Sequence, residues 1–353
     1  MVRSSLRGVL FAGLIGTALM VPASRSRPVP SAGDPASPPA VRKEKARPEP
    51  APGTPVQTQM RNVNYHASAA VLLNIRRLRG EMHSKRPGRP PVFEDKESFY
   101  LTIRSAEIAM SAESLAGLLN KHVFAYPGSP LEKLQIAIEP DRIIQKGVLR
   151  KALKIPFSIV GAVSLTPEGE LRVHPTSIRV AGVGVRGLMK TFGLRMDKLL
   201  KLDPDRGVRV VDNDLLLSPN RMLPPPEIRG KATGVRLEQG RMVLLFDSPG
   251  ERSAPPLSPP DRSAPNYMYY EGGVLAFGKL TMTGTELQIV DADPRDPFDF
   301  YLDHYNEQLV AAYDQNLPDK GLIVHMPDYN KLGKLAPGKD KPRIASIAPR
   351  SQP

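Results

Sequence analysis

Apolar residues recur at every second position through much of this chain. Ile155, Phe157, Ile159, Gly161, Val163 and Leu165 alternate with smaller or polar neighbours, apart from Val160, which is the period of a strand with one covered face. Pro167-Glu168-Gly169-Glu170 reads as a turn, and Leu171 and Val173 resume the alternation, predicting a hairpin. The phase then slips after Pro175, where Ile178 and Val180 become the apolar positions. A similar slip separates Leu101 and Ile103 from Ala106, Ile108 and Met110. Bulges at both places would re-aim the strands. Leu134, Ile136 and Ile138 predict another strand, as do Met242, Leu244 and Phe246. Long strands with bends predict a strongly curled sheet.

Three stretches carry the helical period instead. Ser111 is a good N-cap, with Glu113 in the first turn and Leu115, Leu118, Leu119 and Val123 forming one stripe. A second helix is expected after Gly184, with Val185, Leu188, Met189, Phe192, Met196 and Leu199 on one side. Its other side is basic: Arg186, Lys190, Arg195, Lys198 and Lys201. A third is expected from Pro297 to Tyr313, burying Phe298, Leu302, Tyr305, Leu309 and Ala312.

The flanking segments set the compartment. Arg3 and Arg7 precede an apolar run from Val9 to Val21, closed by small residues, so residues 1–23 read as a secretory signal. The same run left uncleaved would be an inner-membrane tether. Residues 24–60 are Pro-, Ala- and charge-rich and predict a disordered tether. The curled-sheet domain is expected over 61–247, a Pro/Ser-rich loop or linker over 248–266, a hairpin plus helix over 267–330, and a basic disordered tail over 331–353. An exported protein without a single Cys must rest on its apolar core. The net charge of +13 favours anionic partners, which outside the cytoplasm are lipid head groups or anionic polymers before nucleic acid. Trp is absent and aromatics are 6%, which disfavours a base- or sugar-stacking platform.

Candidate chemistry is sparse. Gly182-Val-Gly184-Val-Arg-Gly187 matches G-x-G-x-x-G, and Val208–Val211 with Asp212 could supply the next strand and a ribose ligand. Arg179 in the preceding strand and the antiparallel look of its neighbours argue instead for a flexible turn. Asp291, Asp293, Asp296, Asp299, Asp303, His304 and Glu307 cluster in sequence, without the glycine and spacing of a calcium loop. Helix capping by Asp296, with Pro297 at the first position, accounts for much of that cluster. The other histidines lie far apart, and no hydrolase, P-loop or cysteine-nucleophile motif occurs. Arg76, Arg77, Arg79, Lys85, Arg86 and Arg89 read first as a solvated edge and second as an anionic contact. No catalytic residue, metal ligand or cofactor is therefore expected.

The order of elements from about Ser98 to Phe246 resembles the LmeA-like exported phospholipid-binding proteins of bacteria, relatives of the tubular lipid-binding domains. Ser111-Ala-Glu-Ser-Leu115 after an alternating strand, Ile155-Pro-Phe157 before the long hairpin, and Gly182 to Leu188 carry this resemblance. It implies an α+β fold in which a long curled antiparallel sheet wraps amphipathic helices and leaves an apolar groove for acyl chains. Its groove candidates are Leu115, Leu118, Leu119, Phe157, Ile159, Val163, Val185, Leu188 and Phe192. Arg186, Lys190, Lys198 and Lys201 would meet an anionic membrane surface. The expected activity is non-catalytic binding or carriage of a phospholipid in the cell envelope. The alternatives are an envelope scaffold with a solid core and a nucleotide-dependent enzyme using Gly182, Gly184 and Gly187.

Overall fold

The computed structural model describes residues 49–51, 53–150, 154–180, 202–250, 257–317 and 320–334. The secretory signal, the glycine motif and the second helix lie outside the described residues, as does most of the Pro-rich tether. Antiparallel strand pairing dominates the rest, in two sheets.

The large sheet is built on three long strands, β1 (Val56–Ser68), β2 (Val71–Ser84) and β3 (Phe99–Ser111). β1 begins inside the stretch read as tether, because Val56, Thr58 and Met60 alternate inward and are buried. The slip in phase along β3 is a bulge. Arg79 pairs with Ser105 and Gly80 with Ile103, leaving Arg104 unopposed.

Both β1 and β3 exchange partners partway along their length. The second half of β3 pairs with β12 (Arg241–Asp247), and its first half with β10 (Glu227–Arg229). β1 pairs with β13 (Tyr267–Phe277) over Gln57–Arg61 and with β15 (Phe298–Tyr301) over Val63–His66. Asn62, at the handover, has φ 53 and donates from Nδ2 to Asn266 Oδ1 at 2.7 Å. β11 (Ala232–Glu238) closes one end of this sheet, and β14 (Leu280–Asp291), β17 (Leu322–Met326) and β16 (Tyr313–Asn316) continue the other.

The third expected helix is corrected here. Phe298–Tyr301 is the parallel partner of β1, and only Tyr305–Val310 forms a helix (α3, after α1 and α2 below), preceded by one tight turn. Burial of Phe298, Leu302, Tyr305 and Ala312 survives the change. The open β1 edge offers Phe298–Tyr301 inter-strand hydrogen bonds, and that long-range pairing overrides a local helical stripe. The loop before β13 is no free linker, since Leu257 and Ala264 pack with Tyr267, Tyr269, Val290 and Ile323.

The small sheet runs in the order β4 (Leu131–Glu139), β5 (Arg142–Arg150), β6 (Lys154–Leu165), β7 (Leu171–Val180), β9 (Asp214–Leu217), β8 (Val208–Val211). Each of its five pairings is antiparallel. Val208–Val211 therefore hairpins onto Asp214–Leu217, which is not the parallel strand–helix–strand unit of a dinucleotide site. The slip after Pro175 is a bulge at Thr176, whose Oγ1 donates to Val160 O at 3.1 Å. Proline lacks the N–H for a ladder bond, so the bulge falls where the ladder was already broken.

Helix α1 (Ala112–Leu118) joins the sheets. Ser111 caps it, its Oγ accepting from Ser114 N at 3.0 Å, and the chain continues through a wider π turn to Val123. Asn120 then seals the outer edge of β4, receiving from Leu134 N at 2.9 Å and donating to Leu134 O at 2.7 Å. Gly240 N adds a bond to Ile138 O at 2.9 Å. That edge is closed to further pairing. One continuous apolar core then runs through both sheets. Among the described residues no helix is long and apolar enough to cross a membrane.

Candidate functional site: the apolar face of the small sheet

Register fixes which side chains share a face. Leu149, Gly147, Gln145 and Ile143 stand opposite Ile155, Phe157, Ile159 and Gly161. Phe157 and Ile159 stand in turn opposite Val180 and Ile178, and Val163 opposite Val173. Apart from Gln145 this face is apolar, as the alternation predicts. Its reverse carries Arg142, Lys146, Arg150, Lys154, Arg172 and Arg179.

Burial divides the apolar face in two. Toward the large sheet, Leu131, Leu134, Ile138, Ile143, Leu171, Val173, Leu215 and Leu217 are buried in the common core. At the other end Leu149, Ile155, Phe157, Ile159, Ile178 and Val180 are all half-buried. Gly147 shapes this end. A Cβ there would stand 2.6 Å from Leu134 Cδ2 and 3.0 Å from the Phe157 ring, so glycine lets that ring lie flat across β5. Six half-exposed apolar side chains on adjacent strands form a patch of the kind that meets an apolar ligand or surface.

The structure sorts the groove candidates. Leu115, Leu118 and Leu119 are 2–3% exposed and packed in the core, where they cover β4 rather than line an opening. Phe157, Ile159 and Val163 share the half-buried face. Val185, Leu188, Phe192, Arg186, Lys190, Lys198 and Lys201 lie outside the described residues. Ile155, Ile178, Val180 and Leu149 also stand on this half-buried face and were not among the groove candidates. Their period-2 spacing was the signal for them.

An internal space of about 30 Å³ lies between the large sheet and the short helix α2 (Pro219–Met222). Leu73, Ile103, Ile108, Met110, Leu244 and Phe246 floor it, and Pro219, Leu223 and Ile228 cover it. Space of that size holds a water or two and is far below what an acyl chain fills.

The acidic cluster resolves into an ion-paired knot. Lys331 Nζ lies 2.6 Å from Asp328, 2.9 Å from Asp293 and 3.0 Å from Asp296. These three carboxylates bring oxygens within 4.8 Å of one another, and an ammonium already stands among them. The hydrogen bonds it donates to Asp293 and Asp328 hold the Lys331 ammonium well above its ordinary range. Burial pushes Asp328 up, and it pushes Asp291 to about 6. Asp299 sits in β15 rather than in the helix expected from Pro297, receives from Asn330 N at 3.2 Å and lies 2.6 Å from His66 Nε2. His304, just before the helix Tyr305–Val310, lies 2.8 Å from Glu307 in its first turn.

Much of the basic stretch along β2 and just after it is ion-paired within the fold. Arg76 binds Glu107 at 2.9 Å and Glu238 at 2.7 Å, while Lys85 reaches Glu227 at 3.3 Å and Arg86 reaches Asp95 at 2.7 Å. Arg76 and Arg236 together pull Glu238 down to about 2.

No family model, curated protein or solved structure matches this chain.

Proposed function

We propose that the protein binds lipid without covalent chemistry, laying an acyl chain along the open end of the small sheet's apolar face. One observation carries this reading: the half-buried row of Ile155, Phe157, Ile159, Ile178 and Val180, on a sheet whose apolar face is buried toward the large sheet at Ile143, Leu171 and Val173. Burying a hydrocarbon chain against such a row gains roughly 25 cal/mol for each Å² removed from water. No reacting group is needed. In this reading the fold is a tubular lipid-binding-like one, the small sheet is the curled wall of the groove, and the protein works after export to the cell envelope. The bound class is phospholipid.

The 30 Å³ internal space favours a second reading, an envelope scaffold whose apolar ribbons only pack a core. Native mass spectrometry of the purified full chain, with extraction of bound lipid, separates the two. Carriage predicts a lipid adduct that Phe157→Glu and Ile159→Glu remove while circular dichroism stays unchanged. No adduct, together with no uptake of labelled phospholipid, refutes carriage and leaves the scaffold.

A further inference from the structure

The reverse of the same strands is the side exposed on the far face of the small sheet, and its charges are not all spent inside the fold. Arg142 pairs with Glu139 at 2.5 Å, Arg172 with Asp214 at 3.2 Å and Arg209 with Glu170 at 2.5 Å. Arg150 and Lys154 share Glu132 at 3.6 and 3.4 Å. Lys146 and Arg179 differ. Both are exposed, and neither has a carboxylate partner among the described residues.

These two cations stand in one cross-strand row. Lys146 is directly opposite Ser158, and Ser158 directly opposite Arg179. With strands about 4.8 Å apart, the two stems lie about 10 Å from each other, with the Ser158 hydroxyl between them. A phosphate seated over Ser158 would meet a donor on each side. Apolar side chains flank this row: half-buried Val148 and exposed Pro156 on one side, next to the ion-paired Glu132, and half-buried Ile144 and Val160 on the other, between Ala137 and Ser177. Cations flanked by apolar side chains suit the boundary of a bilayer, where phosphates and the first methylenes lie at one depth. A polyanion in free solution would gain nothing from those apolar side chains.

We infer that this face docks on an anionic phospholipid bilayer through Lys146, Ser158 and Arg179, with Ile144, Val148 and Val160 entering the head-group layer. The inference rests on the lipid reading for its purpose: docking there holds at the membrane the strands whose other side carries the open apolar face. The bilayer contact itself is measurable separately.

Co-sedimentation of the full chain tests it, using vesicles of phosphatidylcholine with and without phosphatidylglycerol. Binding is expected only to the anionic vesicles, and it should weaken as salt rises. Each cation near such a surface contributes about fivefold in partitioning, so Lys146→Gln with Arg179→Gln should weaken binding about 25-fold. Val160→Ser should weaken it without touching a charge. Equal binding to both vesicle types overturns the inference, as does a double variant that binds like wild type or a preference for a DNA duplex over vesicles. The lipid adduct should persist in the double variant. Loss of docking with the adduct retained leaves carriage standing, whereas docking with no adduct in any preparation refutes carriage alone.

Discussion

Replacing Lys331 with Met should unfold the C-terminal side of the protein more easily and should open a cation site. Met keeps the apolar stem and removes only the ammonium. That ammonium touches three carboxylates at 2.6 to 3.0 Å. Breaking a fully buried pair costs about 3–5 kcal/mol, because the remaining charge is stranded. Asp328 fits that limit, with its side chain 1% exposed, but Lys331 at 31% and Asp296 at 52% are screened by water. The expected loss is therefore about 2–3 kcal/mol. It would be read as a lower urea midpoint with an unchanged slope.

The pH dependence gives a sign that simple loss of packing would not. Asp291 and Asp328 already have folded values raised above their unfolded ones. Without the ammonium both rise further, so the native state binds protons that the unfolded state releases. Stability of the variant relative to wild type should then recover as the pH falls from about 7 to about 5. Millimolar Ca²⁺ should also stabilise the variant and leave wild type unchanged, since three carboxylates converge where the ammonium stood. A loss below about 0.5 kcal/mol at neutral pH, or a deficit that grows on acidification, would refute the knot as described.

Two further outcomes follow from single contacts. Gly117→Ala would ordinarily gain about 1 kcal/mol in a helix interior. Here the added Cβ would stand 2.1 Å from the Ala70 carbonyl oxygen, so α1 must shift and a net loss of about 1–3 kcal/mol is expected in urea unfolding. A more stable variant would contradict that placement of α1. For Asp291, a folded value near 6 against an ordinary value of 3.8 means an acid stabilised in its protonated form. Its contribution should raise wild-type stability by about 1 kcal/mol between pH 7 and pH 5, and Asp291→Asn should remove that part of the slope.

Local pattern was enough where the competing structures were also local. The alternation over Ile155–Leu165 became β6, and the slips after Pro175 and after Ile103 became bulges at Thr176 and Arg104. In each, a covered face demands period 2, and an added residue is the only way to change phase without breaking the ladder. Ser111 capped α1 because its Oγ reaches Ser114 N within one turn. The apolar face of the candidate site was legible for the same reason, down to Phe157, Ile159 and Val163.

What distant segments contribute could not be read from spacing. Phe298–Tyr301 carries a sound helical stripe, yet β1 presents a free edge there, and pairing partners 235 residues apart in sequence leave no local trace, as Val63 with Phe298 illustrates. The acidic run read mainly as helix capping until Lys331 and Asp328 closed on it. Which basic residues are neutralised was likewise a tertiary decision: Arg76 meets Glu107 and Glu238, while Lys146 and Arg179 meet no acid among the described residues. The sequence by itself determined which faces are apolar, where strands bend and where α1 starts. Tertiary structure decided which of those faces stays half-open and which charges face outward, because both depend on what packs against a residue rather than on its neighbours along the chain.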